Sequence, residues 1–201
     1  MMNVLIENAK RFAREVFASD SSGHDYAHTL RVYKLAGRIA QREGADVAIV
    51  ELAALLHDVD DHKLSPDTAE TKGRAVRFLR SQSVDTETIE RIVHIIDQIS
   101  FSRNTMPPDT LEAGCVQDAD RLDAMGAIGI ARTFAFGGSH GRPIHDPTGT
   151  DRGTSIAHFY DKLLLLKDRM NTNAGRELAQ HRHEFLQTYL AEFLSEWDAG
   201  L

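Results

Sequence analysis

An all-α fold is predicted, and two observations predict it. Apolar residues recur at i, i+3 and i+4 through most of the 201 residues, the spacing that lines one face of a helix. No alternating strand pattern of useful length and no internal repeat occurs anywhere in the chain. The length suits one well-buried core, so a single domain over residues 1–201 is expected.

Lys and Arg number 23 against 30 Asp and Glu, a net charge of -7, and no basic block runs long enough to make a stripe. Binding to a nucleic acid polymer is therefore disfavoured. The one cysteine, Cys115, permits no intramolecular disulfide, which fits a reducing compartment and a helix-packing role. The first basic residue is Lys10, no small-residue cleavage site follows, and no run of about 18 apolar residues occurs. A soluble, cytoplasmic protein without a membrane partner is expected.

A first helix is expected over about Asn3 to Phe17, where Val4, Leu5, Phe12, Val16 and Phe17 form a stripe that Ser19 to Gly23 breaks. In Tyr26 to Glu43, His28, Val32, Leu35 and Ile39 share one face, while Arg31, Lys34, Arg38 and Gln41 share another, so His28 points inward. Gly44 ends that helix and Asp46 can cap the next, Ala48 to Val59. There Leu52, Leu55, Leu56 and Val59 place the pair His57-Asp58 where the helix is buried or just leaving the core. An unpaired buried carboxylate costs on the order of several kcal/mol, and a metal ion satisfies a neutral imidazole and a carboxylate together. The His-Asp dipeptide also occurs at His24-Asp25 and His145-Asp146, but those lie among Gly, Ser and Pro. The bland alternative for His57-Asp58 is a capped helix end with a solvated acidic turn.

Beyond the acidic turn Asp58 to Lys63, Ser65-Pro66 reads as a helix start, with Ala75, Phe78 and Leu79 on the inner face of a short helix ending near Ser81. Asp85 can cap the following helix, whose Ile89, Ile92, Val93, Ile96 and Ile99 are buried. His94 stands about a quarter turn off that face, as plain surface or as site wall. After the break at Pro107-Pro108, one long helix is expected from about Leu111 to Phe136. Its stripe Val116, Asp120, Asp123, Ala127, Ile130 and Phe134 puts two aspartates among apolar residues. Arg121 and Arg132 project from other faces of that helix, so neither is expected to neutralise them. A metal shared with His28 and His57-Asp58 accounts for these anomalies together.

Gly137 to Gly153 holds five glycines and two prolines and lacks the lysine and Ser/Thr of a phosphate-binding P-loop. It is expected to be structureless, as a lid over a polar substrate or a mobile surface loop, with Arg142 as a phosphate-binding candidate. Two long helices over about 154–197 complete the chain. Ile156, Phe159, Leu163, Leu166 and Met170 build the core face of the first, and His158 and Lys162 stand one turn apart, as a phosphate-holding pair or as solvated surface. Asn173 can cap the second. Its Leu178, Phe185, Leu186, Leu190, Phe193 and Trp197 pack inward or against a partner subunit, which leaves a homodimer open.

Taken in order, His28 inside HDYAHTLRV, His57-Asp58 inside ALLHDVDD and Asp120 inside VQDADRLDAMGA resemble the HD-domain superfamily of metal-dependent phosphohydrolases, in particular its small, stand-alone bacterial members. The resemblance covers about Gly23 to Met125, the expected metal-binding core. ISFSRN, the Gly-rich loop and TSIAHFYDKLLLLKDRM also look like those members. It implies a multi-helix bundle with His28, His57, Asp58 and Asp120 as four metal ligands. Asp61, three residues past Asp58, stands where some members carry a catalytic acid that orients or deprotonates water. Lys63, His94, Arg142, His158 and Lys162 are candidates for neutralising substrate phosphates. Asp123 would hold a ligand histidine's free N–H.

A shell of two imidazoles and two carboxylates suits one divalent transition ion per chain, Mn²⁺ foremost, with Fe²⁺, Co²⁺, Zn²⁺ or Mg²⁺ as alternatives. His94 is the only other obvious helical histidine, so a second ion would need His24 or His62. The implied activity is hydrolysis of a nucleotide or related phosphate ester by metal-activated water. It would cleave a nucleoside triphosphate to monophosphate and pyrophosphate, or remove phosphate from a monophosphate. The chain lacks the GYP signature of the cyclic-dinucleotide phosphodiesterase branch and the accessory domains of long alarmone hydrolases, which disfavours those activities. The alternatives are an HD-fold iron oxygenase, which needs further ligands, and a non-enzymatic sensor stapled by its metal.

Overall fold

The structure, a computed structural model, describes residues 2–18, 25–61, 65, 67–99 and 107–199. Every regular element among them is helical, as the periodicity predicts. No helix of the described residues is long and apolar enough to cross a membrane. The chain forms two compact units, Met1–Asp120 and Arg121–Leu201.

The first unit is built around a helix that is apolar nearly all the way round. Helices α1 (Met2–Val16) and α2 (Tyr26–Glu43) precede it, and α3 itself runs Val47–Leu56. From Ile49 to Leu56 only Glu51 is not fully inside, so α3 must be central, because an all-apolar helix has no face to offer water. Helices α1, α2 and α5 (Thr86–Ile99) pack against it. Gly44 ends α2 at φ 76, a left-handed cap that glycine adopts at no steric cost, and Asp46 then caps α3 by accepting the Ile49 N–H at 3.2 Å. Helix α3 stops at Leu56, three residues before the expected end, so His57 is its C-cap and Asp58 lies in the turn beyond.

Helix α4 runs Gly73–Ser81, packed on α5, and begins well after Ser65. Residues 67–72 are turns, and Lys72 precedes the helix in the left-handed region at φ 51. Asp85 caps α5 as predicted, accepting the Thr88 N–H at 2.9 Å.

The expected helix 111–136 is two helices, α6 (Leu111–Asp123) and α7 (Gly126–Ser139). Met125 is extended and Gly126 sits at φ 67, where a side chain would be strained and a Cβ would meet Arg182 Cγ at 3.1 Å. That break overturns the inference about Asp123. Once the helix turns, Arg132 reaches back and its Nη1 donates to Asp123 Oδ2 at 2.7 Å. The aspartate is buried because an arginine of the next helix neutralises it.

The second unit continues with α8 (Ser155–Asp161), a 3₁₀ helix (Leu163–Arg169) and α9 (Asn173–Trp197). The first expected C-terminal helix is thus split, with Lys162 at φ -139 between its halves, although Ile156, Phe159, Leu163, Leu166 and Met170 are all buried as predicted. Thr172, not Asn173, caps α9 through the Gly175 N–H. Leu186 and Leu190 are buried, while Phe185 and Trp197 are largely exposed.

The Gly-rich segment is not structureless. Its first residues complete α7, and Asp146 then braces the loop by accepting the N–H groups of Thr148, Thr150 and Asp151 at 2.8 to 2.9 Å. Those bonds and the Thr148 and Thr150 hydroxyls hold the Asp146 carboxyl well below the usual carboxylate range. Ser155 and Ile156 donate back to the Pro143 and Ile144 carbonyls, fixing the loop to α8.

Two outcomes follow from this packing. Arg132→Ala removes the ion-pair partner bonded to the buried Asp123 carboxylate and should cost on the order of 2 kcal/mol, discounted for the partial exposure of the arginine; a lowered urea midpoint at unchanged m-value is the check. Cys115 is buried, and that burial, with Asp118, Glu43 and Glu112 nearby, pushes its thiol up to about 12. Only the thiolate reacts. A disulfide-exchange reagent at pH 8 should therefore leave the folded protein untouched and titrate the single thiol once urea unfolds it.

Candidate metal centre

His28 and His57 arrive from two packed helices. His28 opens the first turn of α2, its backbone N–H held at 2.6 Å by the capping Asp25, and it is 1% exposed. His57 closes α3, and its Nδ1 lies 2.8 Å from the Ala54 carbonyl, one turn back. A carbonyl only accepts, so Nδ1 carries the proton and Nε2 of the neutral ring is a lone pair. That Nε2 is buried, makes no hydrogen bond, and stands 3.1 Å from Asp58 Oδ2. Two acceptors at that separation repel unless a cation or proton lies with them.

The remaining donors converge on the same place. His28 Nε2 is 3.5 Å from Asp58 Oδ2 and 3.4 Å from Asp120 Oδ1, and the two imidazole rings are 5.5 Å apart at 64°. One ligand atom each from His28, His57 and Asp120 lie within 4.8 Å of one another. The C-terminal end of α3, with its unsatisfied carbonyls, adds partial negative charge beside the site. Burial works against a charged His57, but the Asp58 and Asp120 carboxylates outweigh it and raise its pKa. With the His57 Nε2 proton released, the two imidazole nitrogens and the converging carboxylates offer the donor set a divalent transition ion requires, so these residues fit one.

Of the other candidates, Asp61 is half-buried in the turn after Asp58, its N–H donating to the Asp58 carbonyl at 3.0 Å. His94 is outside the cluster. It is about half exposed on α5, with Nε2 3.0 Å from both Asp109 oxygens and 2.6 Å from the Gln98 amide. Asp123 is paired with Arg132, and the His57 Nδ1–H goes to the Ala54 carbonyl. That carbonyl partner was readable from the sequence, since a helix-terminal side chain reaches one turn back. Lys63, His24 and His62 lie outside the described residues.

Arg142, His158 and Lys162 come together within the second unit. Burial first, then the charges of Lys162 and Arg142, lower the pKa of the half-buried His158. Arg142 also lies over the Phe136 ring, 5.1 Å from its centroid.

This arrangement defines a class: an all-helical protein in which two buried imidazoles meet two partly exposed carboxylates. Residues 25–125 match the HD domain family, and the chain belongs to it. It is 42% identical to YpgQ of Bacillus subtilis over 194 residues, covering 92% of this chain and 90% of that protein. A solved HD-superfamily hydrolase of Bacillus thuringiensis superposes with a TM-score of 0.86 at 42% identity, over 99% of this chain and 100% of that one. The structure of Bacillus subtilis YpgQ in complex with ADP superposes with a TM-score of 0.79 at 43% identity, over 94% of this chain and 96% of that one. The protein is a metal-dependent phosphohydrolase of the HD type.

Metal should stabilise the fold. Mn²⁺ at about a hundred times its Kd adds about 2.7 kcal/mol to the folded state, seen as a rise in Tm that excess chelator reverses. His57→Ala and Asp58→Ala should abolish that rise.

Proposed function

We propose that this protein hydrolyses nucleotides, either cleaving a triphosphate to monophosphate and pyrophosphate or removing phosphate from a monophosphate, with Mn²⁺ as its ion. The observation that carries the reading is the buried His57 Nε2 set against Asp58 with His28 and Asp120 converging on it, a donor set that suits a cation. The ADP complex of YpgQ supports a nucleotide as the substrate class.

His28, His57, Asp58 and Asp120 are proposed as the ligands. A bound divalent ion would supply a nucleophilic water near neutral pH and draw charge from the phosphoryl oxygens. Asp61, braced by its backbone beside Asp58, is proposed to orient that water and take its proton. Arg142, His158 and Lys162 are proposed to neutralise phosphate, with Lys63 beside them on its place in the sequence. Among the described residues no further histidine joins the three-residue ligand group, which favours one ion and disfavours a paired-iron oxygenase.

Phosphorus NMR of metal-stripped protein with added Mn²⁺ and a panel of nucleoside mono-, di- and triphosphates tests the reading. Wild type should release pyrophosphate or phosphate, and Asp58→Ala should release neither. Asp61→Asn should keep its metal yet lose about 10²- to 10⁴-fold in kcat, while Lys162→Ala should raise KM. No turnover with any metal or nucleotide would sink the proposal.

A further inference from the structure

Asp60 has no part in the chemistry above, yet it is 2% exposed, and a buried carboxylate must be compensated. Its compensation is specific. Oδ1 accepts the Arg74 N–H and Oδ2 the Ala75 N–H, both at 3.0 Å. Those are among the N–H groups that the first turn of α4 cannot satisfy internally. Lys72, at the N-cap position, provides no side-chain cap. Asp60 therefore caps α4 from 14 residues upstream, at the positive end of the helix dipole.

We propose that Asp60 is a positioning residue for the metal centre, tying the turn that presents Asp58 to the start of α4. The inference rests on the ligand assignment proposed above. Asp58 reaches the imidazoles and Asp60, two residues on, reaches α4. Between them Val59 is fully buried, and its carbonyl accepts the Ser65 hydroxyl at 3.2 Å. Asp61 donates its N–H to the Asp58 carbonyl at 3.0 Å and accepts the Ser65 N–H at 2.8 Å. The turn is thus braced along its backbone, and Asp60 is the side chain that anchors it to a second helix. Without that carboxylate, two buried N–H donors lose their partner, and a shift of the turn that relieves them carries Asp58 with it. Ligands held loosely bind metal poorly, and losing such a support typically costs 10- to 100-fold in affinity.

The test measures Mn²⁺ affinity of the metal-stripped full-length chain from the EPR signal of free ion, with the Co²⁺ absorption spectrum as a record of ligand geometry. Asp60→Asn keeps the shape but turns an amide NH₂ toward an N–H donor; it should weaken Mn²⁺ binding about tenfold and alter the Co²⁺ bands. Asp60→Ala should approach a hundredfold. Asp85→Ala removes the cap of α5 and should lower Tm without moving either metal readout. Wild-type Mn²⁺ affinity and an unchanged Co²⁺ spectrum in Asp60→Asn would overturn the positioning role, whether or not the alanine variant folds. Mn²⁺ binding that survives His57→Ala undiminished would instead overturn the ligand assignment, and this inference with it.

Discussion

The first unit depends on one pairing, the buried Nε2 of His57 facing Asp58 Oδ2 at 3.1 Å while the other ring nitrogen is committed to the Ala54 carbonyl. The ring cannot rotate to relieve Nε2 without abandoning Ala54, and an unmade buried hydrogen bond costs about 1–3 kcal/mol. The fold therefore sets a ring nitrogen and a carboxylate together in a dry place, which is favourable only with a proton or a metal cation between them, and the two carboxylates raise the His57 pKa accordingly. Much of the surrounding architecture serves that arrangement. An apolar α3 must be central, its end must lie in the core, and the residue closing it is His57. Helix α2, packed on α3, carries His28 to the same point from its first turn.

The run Asp58-Val59-Asp60-Asp61 shows how neighbouring residues of one chemistry take different tasks. Asp58 faces two imidazoles, Asp60 faces two backbone donors, and Asp61 holds the turn through its own backbone. Burial decides among them. Asp60 is inside and has N–H groups to compensate it, whereas Asp61 is half-buried in the turn beyond Asp58. Val59 anchors the middle because an apolar side chain between carboxylates gains by entering the core that they can enter only with partners.

The metal centre was legible because its residues violate a pattern. An inward histidine on α2, a His-Asp pair ending an apolar helix and an aspartate on an apolar stripe are each anomalies of helical periodicity, and the structure brings His28, His57 and Asp120 of that set to one place. What escaped notice depends on contacts distant in sequence or on backbone geometry. The stripe from Val116 to Phe134 keeps its spacing across Gly126, so periodicity saw one helix where a positive φ makes two, and the Asp123–Arg132 pair was hidden with it. Asp60 gave no local sign of capping a helix that starts at Gly73, because its partners are 14 and 15 residues away. The loop at Asp146 reads as flexible by composition, yet one carboxylate collecting several N–H and hydroxyl bonds orders it.

The second unit gathers cationic and hydrogen-bonding groups of its own. Arg142, His158 and Lys162 stand together there, with Phe136 beneath the guanidinium. Three fixed cations would repel one another in the empty state. Here burial and the two neighbouring charges hold the His158 pKa below its ordinary value, so at neutral pH its ring is uncharged. The group keeps a hydrogen-bonding imidazole without a third positive charge. An anion beside the trio would favour the protonated ring that the two cations disfavour, so the third charge would form where there is an anion to receive it.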